Sequence, residues 1–334
     1  METVEIRRQV SRLFSGGPMS TRVGIEHELI VADAAHGSAV PIERVRAATC
    51  HAPYARYLGF EPGGQVELSL PVEPDPTILA TRLSSTVEAL RADCAAAGIR
   101  LYDTPVDPRS ADEVALQLTS PRYLAMQDRF DSLGSAGRRM MRRTASTQLC
   151  LDWWSGRVGL EQWRLLNLAG PSLAAAFARS IGPESRLATW LAVDPTRTAF
   201  DDRLIEGSDP VEAYANFAAG AVPFTEPGDV AQHLTTLFPP VRPRGRYLEV
   251  RFLDVQPSAK VATIANVLAT LLYDDGCRSR AHDLVASDAG RLAERWEQAA
   301  HGDAAVKARG SALVELALSS ARRPKVLVSV GGVA

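Results

Sequence analysis

The chain has 334 residues, 46% of them hydrophobic, enough to bury a sizeable core in one large domain or two ordinary ones, and its formal net charge of -2 leaves no basic footprint for nucleic acid. Cys50, Cys94, Cys150 and Cys277 lack C-x-x-C spacing, which excludes a disulfide framework or structural zinc site as the first reading and fits a reducing compartment. The amino terminus METVEIRRQV is charged, without an apolar h-region, and no run approaches the roughly 18 apolar residues of a membrane span, so a soluble, cytoplasmic protein is expected.

Residues 1–20 read as a short amphipathic helix, with Val4, Ile6, Val10, Leu13 and Phe14 at helical spacing and a stop at Gly16-Gly17-Pro18. Arg22 to Val31 alternates as a strand does, with Val23, Ile25, His27, Leu29 and Val31 on one face and Gly24, Glu26 and Glu28 on the other. Two carboxylates on one face repel unless a cation lies between them or one takes a proton. A turn-rich connection over residues 32–57 precedes Glu61-Pro-Gly-Gly-Gln-Val-Glu-Leu-Ser-Leu-Pro71, a Gly-Gly turn feeding a second alternating strand. There Val66, Leu68 and Leu70 face the core, while Gln65, Glu67 and Ser69 share the polar side. Residues 74–98 read as a helix ending at Gly98, and residues 105–135 as loop and short helix.

Arg142 to Asp152 alternates again, with Ala145, Thr147, Leu149 and Leu151 opposite Thr144, Ser146, Gln148, Cys150 and Asp152. So polar a face is costly to bury unless it is paired internally or lines a ligand site. Residues 160–180 read as a largely buried helix broken at Gly170-Pro171. Arg186 to Trp190 reads as a helix end, Asp194 to Arg197 as a polar loop, and residues 209–219 and 229–237 as short helices. Arg246 to Asp254 forms a fourth alternating strand, with Leu248, Val250 and Phe252 on one face and Glu249 and Arg251 on the other. Helices follow at 258–273, 281 to about 301, and 303–322; without internal repeat or low-complexity linker, the expectation for residues 1–334 is a single domain.

Each acidic strand face, taken alone, fits an ordinary solvated edge. Placed in one sheet with helices against the apolar side, the four faces gather Glu26, Glu28, Glu67, Glu249, Gln148 and Arg251 in one concavity. Four carboxylates with little compensating charge call for divalent cations, and all-oxygen ligands favour Mg²⁺ or Mn²⁺ over zinc. Carboxylate-held Mg²⁺ completed by phosphates is usual where ATP is consumed, and Arg251 would then neutralise the phosphoryl group in transfer. The sequence has neither G-x-x-x-x-G-K-[ST] nor G-x-G-x-x-G, so a nucleotide would be gripped by metals and side chains on the sheet. There is no G-x-S-x-G and no Cys-His pair, and Cys150 has no base assigned to it.

Four segments carry a family resemblance: Val23-Gly-Ile-Glu-His-Glu-Leu, Glu61-Pro-Gly-Gly-Gln-Val-Glu-Leu-Ser, Arg143-Thr-Ala-Ser-Thr-Gln-Leu-Cys-Leu-Asp, and the run from His233 to Asp254. In this order, over roughly residues 20 to 320, the chain resembles the plant and bacterial glutamate-cysteine ligases, nearest the branch serving ergothioneine biosynthesis. The resemblance implies an α+β fold: a curved antiparallel sheet, glutamine synthetase/glutamate-cysteine ligase-like, with helices on its outer face and a funnel of metal-binding carboxylates inside. It implies that ATP phosphorylates the γ-carboxyl of glutamate and that an amine attacks the acyl phosphate, releasing ADP and phosphate. On matching positions it implies Glu26, Glu28, Glu67 and Glu249 as Mg²⁺ ligands, Glu249 and Arg251 as catalytic, and Arg251, Gln148 and Ser146 as nucleotide-binding. Arg186, Trp190 and Arg197 would hold the amino-acid substrate.

Three departures stand out: Cys150 where relatives usually have Asn, Leu70 where they have Gly, and a shorter stretch between Pro223 and His233. A pathway-specific ligase joining a different acid and amine is therefore the alternative within the class, and a non-catalytic nucleotide-binding homologue the alternative outside it. The expected partners are small amino-acid substrates, with neither nucleic acid nor membrane, and the sequence does not give an oligomeric state.

Overall fold

The computed structural model describes residues 3–224 and 229–321. Residues 1 and 2 of the expected first helix, residue 322 of the expected last one, and residues 225–228 of the shortened stretch after Pro223 lie outside the described residues.

Helix α1 (Thr3–Leu13) precedes the long strand β1 (Val23–Asp33), helix α2 (Ile42–Thr49), and strands β2 (Leu58–Phe60) and β3 (Val66–Glu73). Helix α3 (Pro76–Ala96) starts from Asp75, whose carboxylate accepts the Thr77 amide, and leads to β4 (Ile99–Tyr102). Helices α4 (Pro121–Asp131) and α5 (Ala136–Arg143) precede β5 (Thr147–Asp152), α6 (Gly156–Ala176), α7 (Arg186–Leu191), α8 (Pro195–Thr198), α9 (Pro210–Gly220) and α10 (Val230–Thr235). Strands β6 (Val241–Pro243) and β7 (Tyr247–Val250) then give way to α11 (Ser258–Tyr273), α12 (Asp275–Val285), α13 (Leu292–Ala300) and α14 (Ala304–Ala321).

Among the described residues the strands form a seven-stranded antiparallel sheet in the order β2-β3-β1-β5-β7-β6, with β4 pairing the far end of β1. The four expected strands are its centre, but the fourth, expected over Arg246 to Asp254, ends at Val250, so Arg251 and Phe252 follow the strand and do not belong to it. The three-to-four-residue strands β2, β4 and β6 are additions, too short for alternation to reveal. The turn-rich connection contains α2, and α5 takes in Arg142 and Arg143, expected as the start of the third alternating strand. The break expected at Gly170-Pro171 is absent: α6 runs through both, and a Cβ at Gly170 would come within 2.7 Å of the Trp296 ring, so the small residue lets α13 approach closely. The single helix expected over 281–301 is two, α12 and α13, separated at Gly290, whose φ of 80° helical L-residues rarely adopt.

A continuous apolar cluster collects the inward residues of the central strands, among them Val23, Ile25, Leu29, Val66, Leu68, Leu149, Leu151, Leu248 and Val250, with the buried stripes of α3, α6 and α11. Helix α3 packs on β1, β3 and β4, and α11 lies against α3. The opposite sheet face carries the polar residues.

Candidate active site

Strand register assembles the site. Residues facing each other across an antiparallel pair share a sheet face, and β1 sets Glu28 opposite Glu67 of β3, and Glu26 opposite both Ser69 of β3 and Gln148 of β5. One row further along, Cys150 of β5 lies opposite Gly24 and Glu249, and Glu249 lies opposite Arg242 of β6. The polar face borders a cavity of about 360 Å³, closed by residues of α4, α5 and α7. Among the described residues its walls carry Glu26, Glu28, Glu61, Glu67 and Glu249, but also Arg122, Arg186, Arg242, Arg244 and Arg251. The expectation of little compensating charge is thus corrected. Four of those arginines come from segments read as helix or lead-in.

The acids cluster toward β1 and β3. Glu28, Glu61 and Glu67 each offer a carboxylate oxygen, and the three oxygens lie within 4.8 Å of one another. Glu28 is buried and held from three sides, accepting the Ser146 amide at 2.7 Å, the Ser146 hydroxyl at 2.7 Å and Gln148 Nε2 at 3.0 Å. Glu67 accepts the Ser69 hydroxyl at 2.9 Å. Glu61 enters at the turn before β3, where its carbonyl accepts the Gly64 amide at 2.8 Å and its amide donates to Gln65 O at 2.8 Å. Only glycine fits at position 63, because a Cβ there would come within 2.3 Å of the Arg142 carbonyl oxygen. Burial, with Glu28 and Glu67 adding to it, pushes the Glu61 carboxyl well up; burial also raises Glu28. Glu26 is pushed up to about 7 by burial and by the charges of Glu249 and Glu67. Glu61 was missed in the sequence because it precedes the turn and joins no alternating face. The available signal was its position at the head of the Glu-Pro-Gly-Gly-Gln segment.

The guanidiniums gather at the other end. Glu249 is 2% exposed, bonds Arg251 directly, and lies 3.5 Å from Arg242 Nη1 and 3.7 Å from Arg244 Nε. Burial works to raise its carboxyl, but Arg242, Arg251 and Arg244 outweigh burial and hold it below the usual range. Two cations lie near the Trp190 ring, the Arg186 guanidinium carbon at 4.8 Å and that of Arg251 at 5.4 Å. Arg186 Nη2 donates to the Arg251 carbonyl at 2.9 Å.

The structure brings Glu26, Glu28, Glu67, Gln148, Ser146, Arg186, Trp190, Glu249 and Arg251 to one cavity, and it does not bring Arg197. Arg197 is 0% exposed, donates through Nη1 to the Thr236 hydroxyl at 2.8 Å, and lies 3.5 Å over the Phe224 ring. Ser146 and Gln148 are occupied in holding Glu28. Gln148 Oε1 is buried without a partner among the described residues and remains available as an oxygen ligand. Leu70 belongs to the apolar core, whereas Cys150 sits opposite Glu249.

Three convergent carboxylates and an orphaned amide oxygen form a hard, all-oxygen donor set that fits Mg²⁺ or Mn²⁺ and lacks the nitrogen or sulfur of a zinc site. The open antiparallel sheet, with most of its carboxylates at one end of the polar face and guanidiniums at the other, suits a metal-bound polyphosphate, and the family match over residues 22–322 makes the chain an ATP-dependent acid-amino-acid ligase. Residues 22–322 match the family model described as Glutamate-cysteine ligase family 2, and the chain belongs to that family. It is 31% identical over 329 residues to the glutamate-cysteine ligase EgtA of Mycolicibacterium smegmatis, covering 85% of this chain and 75% of that one. To the chloroplastic glutamate-cysteine ligase of Arabidopsis thaliana it is 27% identical over 270 residues, covering 69% of this chain and 51% of the plant enzyme. The crystal structure of a Francisella tularensis glutamate-cysteine ligase in complex with AMP matches the fold, with a TM-score of 0.52 and 12% identity over 93% of this chain and 84% of that one. No described helix is long and apolar enough to cross a membrane.

Proposed function

We propose that the cavity joins the γ-carboxyl of glutamate to the amine of cysteine at the expense of ATP, with Mg²⁺ held by Glu28, Glu61 and Glu67 and supported by Glu26 and Glu249. The observation that carries this reading is the three-carboxylate cluster in the same cavity as the Arg242, Arg244 and Arg251 group. When bound, the metal neutralises triphosphate charge and orients the terminal phosphoryl group. The remaining work falls to the chain's own residues. Arg251 faces charge that develops on the phosphoryl group as the glutamate carboxylate attacks it, and Glu249 and Trp190 hold its guanidinium in place. Arg186, buried in the cavity wall beside Trp190, contributes positive potential for the acid substrate, and Ser146 and Gln148 fix the Glu28 carboxylate.

The test is ADP release with glutamate and a panel of amines, with and without Mg²⁺, and products identified by mass spectrometry. Turnover that requires Mg²⁺ and yields γ-glutamylcysteine is expected; a folded sample inactive with every amine would overturn the proposal. Cys150, set opposite Glu249 where relatives usually carry Asn, favours a second reading in which a ligase of the same family takes a different amine. A product with another amine and none with cysteine would select it. Mg²⁺-dependent ATP binding without any turnover would identify a non-catalytic homologue.

A further inference from the structure

The segment that begins at Arg246 ends in an acid, Asp254, to which the site gives no role. It is 5% exposed and lies outside the walls of the cavity. Its Oδ2 accepts three hydrogens from the loop between α6 and α7: the Arg179 amide at 2.8 Å, the Ser180 amide at 2.8 Å and the Ser180 hydroxyl at 3.0 Å. Two successive backbone amides and a hydroxyl on one carboxylate oxygen make a strong, charge-assisted grip. Neighbouring bonds tighten it, since Arg179 Nη1 donates to Val255 O at 2.9 Å and Gln256 Nε2 to Phe177 O at 2.8 Å. The held loop then starts α7. The Ser180 hydroxyl oxygen accepts the Arg186 amide at 3.1 Å, and Ser185 caps the helix by accepting the Ala188 amide at 3.1 Å.

We propose that Asp254 is a positioning residue for the acid substrate: through Ser180 it fixes the first residue of α7, and with it the Arg186 guanidinium in the cavity wall. The assignment rests on the ligase reading of the cavity and on the place of Arg186 in it. Arg186 is 2% exposed, donates through Nη2 to the Arg251 carbonyl, and leaves a buried Nε without a partner among the described residues. Burial pulls this guanidinium below its ordinary range, and Asp254 is the negative charge that does most to offset burial, ahead of Glu28. The cavity shows the other arrangement too, because Glu249 bonds the Arg251 guanidinium directly. A carboxylate bonded in that way holds an arginine but uses up its donors. Asp254 grips the peptide that carries Arg186 instead, so the guanidinium is held in place with donors left for a substrate carboxylate.

The full-length enzyme is assayed with Mg²⁺-ATP, L-glutamate and hydroxylamine, a nucleophile that takes the identity of the natural amine out of the measurement, and hydroxamate is the product read. Asp254→Ala should raise KM for glutamate roughly 10- to 100-fold, the worth of one charged hydrogen bond, while KM for ATP stays within about threefold. Asp254→Asn, whose amide oxygen can accept the same three hydrogens, should stay within about threefold of the parent on both. Ser180→Ala leaves the two amide bonds but cuts the link to Arg186, and should raise KM for glutamate by about 3- to 10-fold. In an Arg186→Ala background, Asp254→Ala should add less than about twofold, because both changes act on one contact. Thermal unfolding checks each variant, and Ser180→Ala decides the matter should Asp254→Ala fail to fold. A folded Asp254→Ala with unchanged KM for glutamate, an equal rise for glutamate and ATP, or a rise that persists in full without the Arg186 side chain would overturn the assignment while hydroxamate formation leaves the ligase reading standing. Arg186→Ala with unchanged KM for glutamate removes Arg186 from the substrate site and this assignment with it. Absence of hydroxamate from the parent enzyme overturns the ligase reading and this assignment together.

Discussion

Replacing Glu61 with Gln should stabilise the metal-free protein while disabling it. Its carboxylate shares a site with Glu28 and Glu67, with oxygens within 4.8 Å, and at an effective dielectric of about 20 each ionised pair at that distance costs about 3.5 kcal/mol. Two such repulsions involve Glu61. The acids relieve part of this by keeping protons, as the raised Glu61 and Glu28 carboxyls show, so the expected gain on substitution is nearer ~1–2 kcal/mol. For a chain of this length that is a rise of roughly 1–3 °C in Tm. With Mg²⁺-ATP the order reverses. At a hundredfold excess over Kd the unsubstituted enzyme gains ~2.7 kcal/mol by mass action, whereas Glu61→Gln, with one anionic ligand fewer, should gain less than half of that. Differential scanning fluorimetry in chelator and in saturating Mg²⁺-ATP gives both numbers from one plate, and ADP release gives the third. The reasoning is refuted if the variant is no more stable than the parent in chelator, or if it keeps the full ligand-induced shift.

Glu249→Gln should behave oppositely, losing stability by about 3 kcal/mol because three guanidiniums keep no counter-charge, and losing turnover as well; urea unfolding and ADP release would check both. In chelator, Glu26 holds its proton up to about pH 7 when folded but only to its ordinary 4.5 when unfolded, so its contribution is complete below pH 4.5 and is lost as the pH rises through 7. The stability of the parent relative to Glu26→Gln should therefore fall across that window, by at most about 3 kcal/mol, and a flat or rising difference in urea midpoints would contradict the burial argument. Arg197→Lys should cost about 2 kcal/mol through the lost planar contact with Phe224 and the forked bond to Thr236, while KM for the acid substrate stays within about threefold. A large rise in KM without loss of stability would restore Arg197 to the substrate site.

Much of this site was legible because strand alternation is a two-residue rule that needs only five or six positions to declare itself. That rule gives the shared face of Glu26 and Glu28 and the polar faces of Glu67 and Glu249, and the register lays these faces side by side. What lay outside the rule stayed hidden. Glu61 reaches the cavity from a turn, so its direction depends on the Gly63-Gly64 backbone and on the Arg142 carbonyl packed against it. Arg242 lies in a strand only three residues long and Arg244 just past its end, in a stretch that read as a lead-in. Arg197 shows the converse error. It lies close in sequence to Arg186 and Trp190, but the two-residue rule does not apply to a helix and loop, and the capping of α8 by Asp194 turns it into the protein instead.

The sheet order carries one more consequence. Because β3 and β1 bring Glu67, Glu26 and Glu28, while Arg242 of β6 and Arg244 and Arg251 at the ends of β6 and β7 surround Glu249, charge is graded across the strands of the polar face. With strands spaced roughly 5 Å apart, β1 and β7 are separated by about 10 Å, the scale of a triphosphate with its cations. A molecule bearing metal at one end and bare anionic oxygen at the other has a single favourable orientation in such a field. Orientation is then set before any close contact forms, by the order in which the chain lays down its strands.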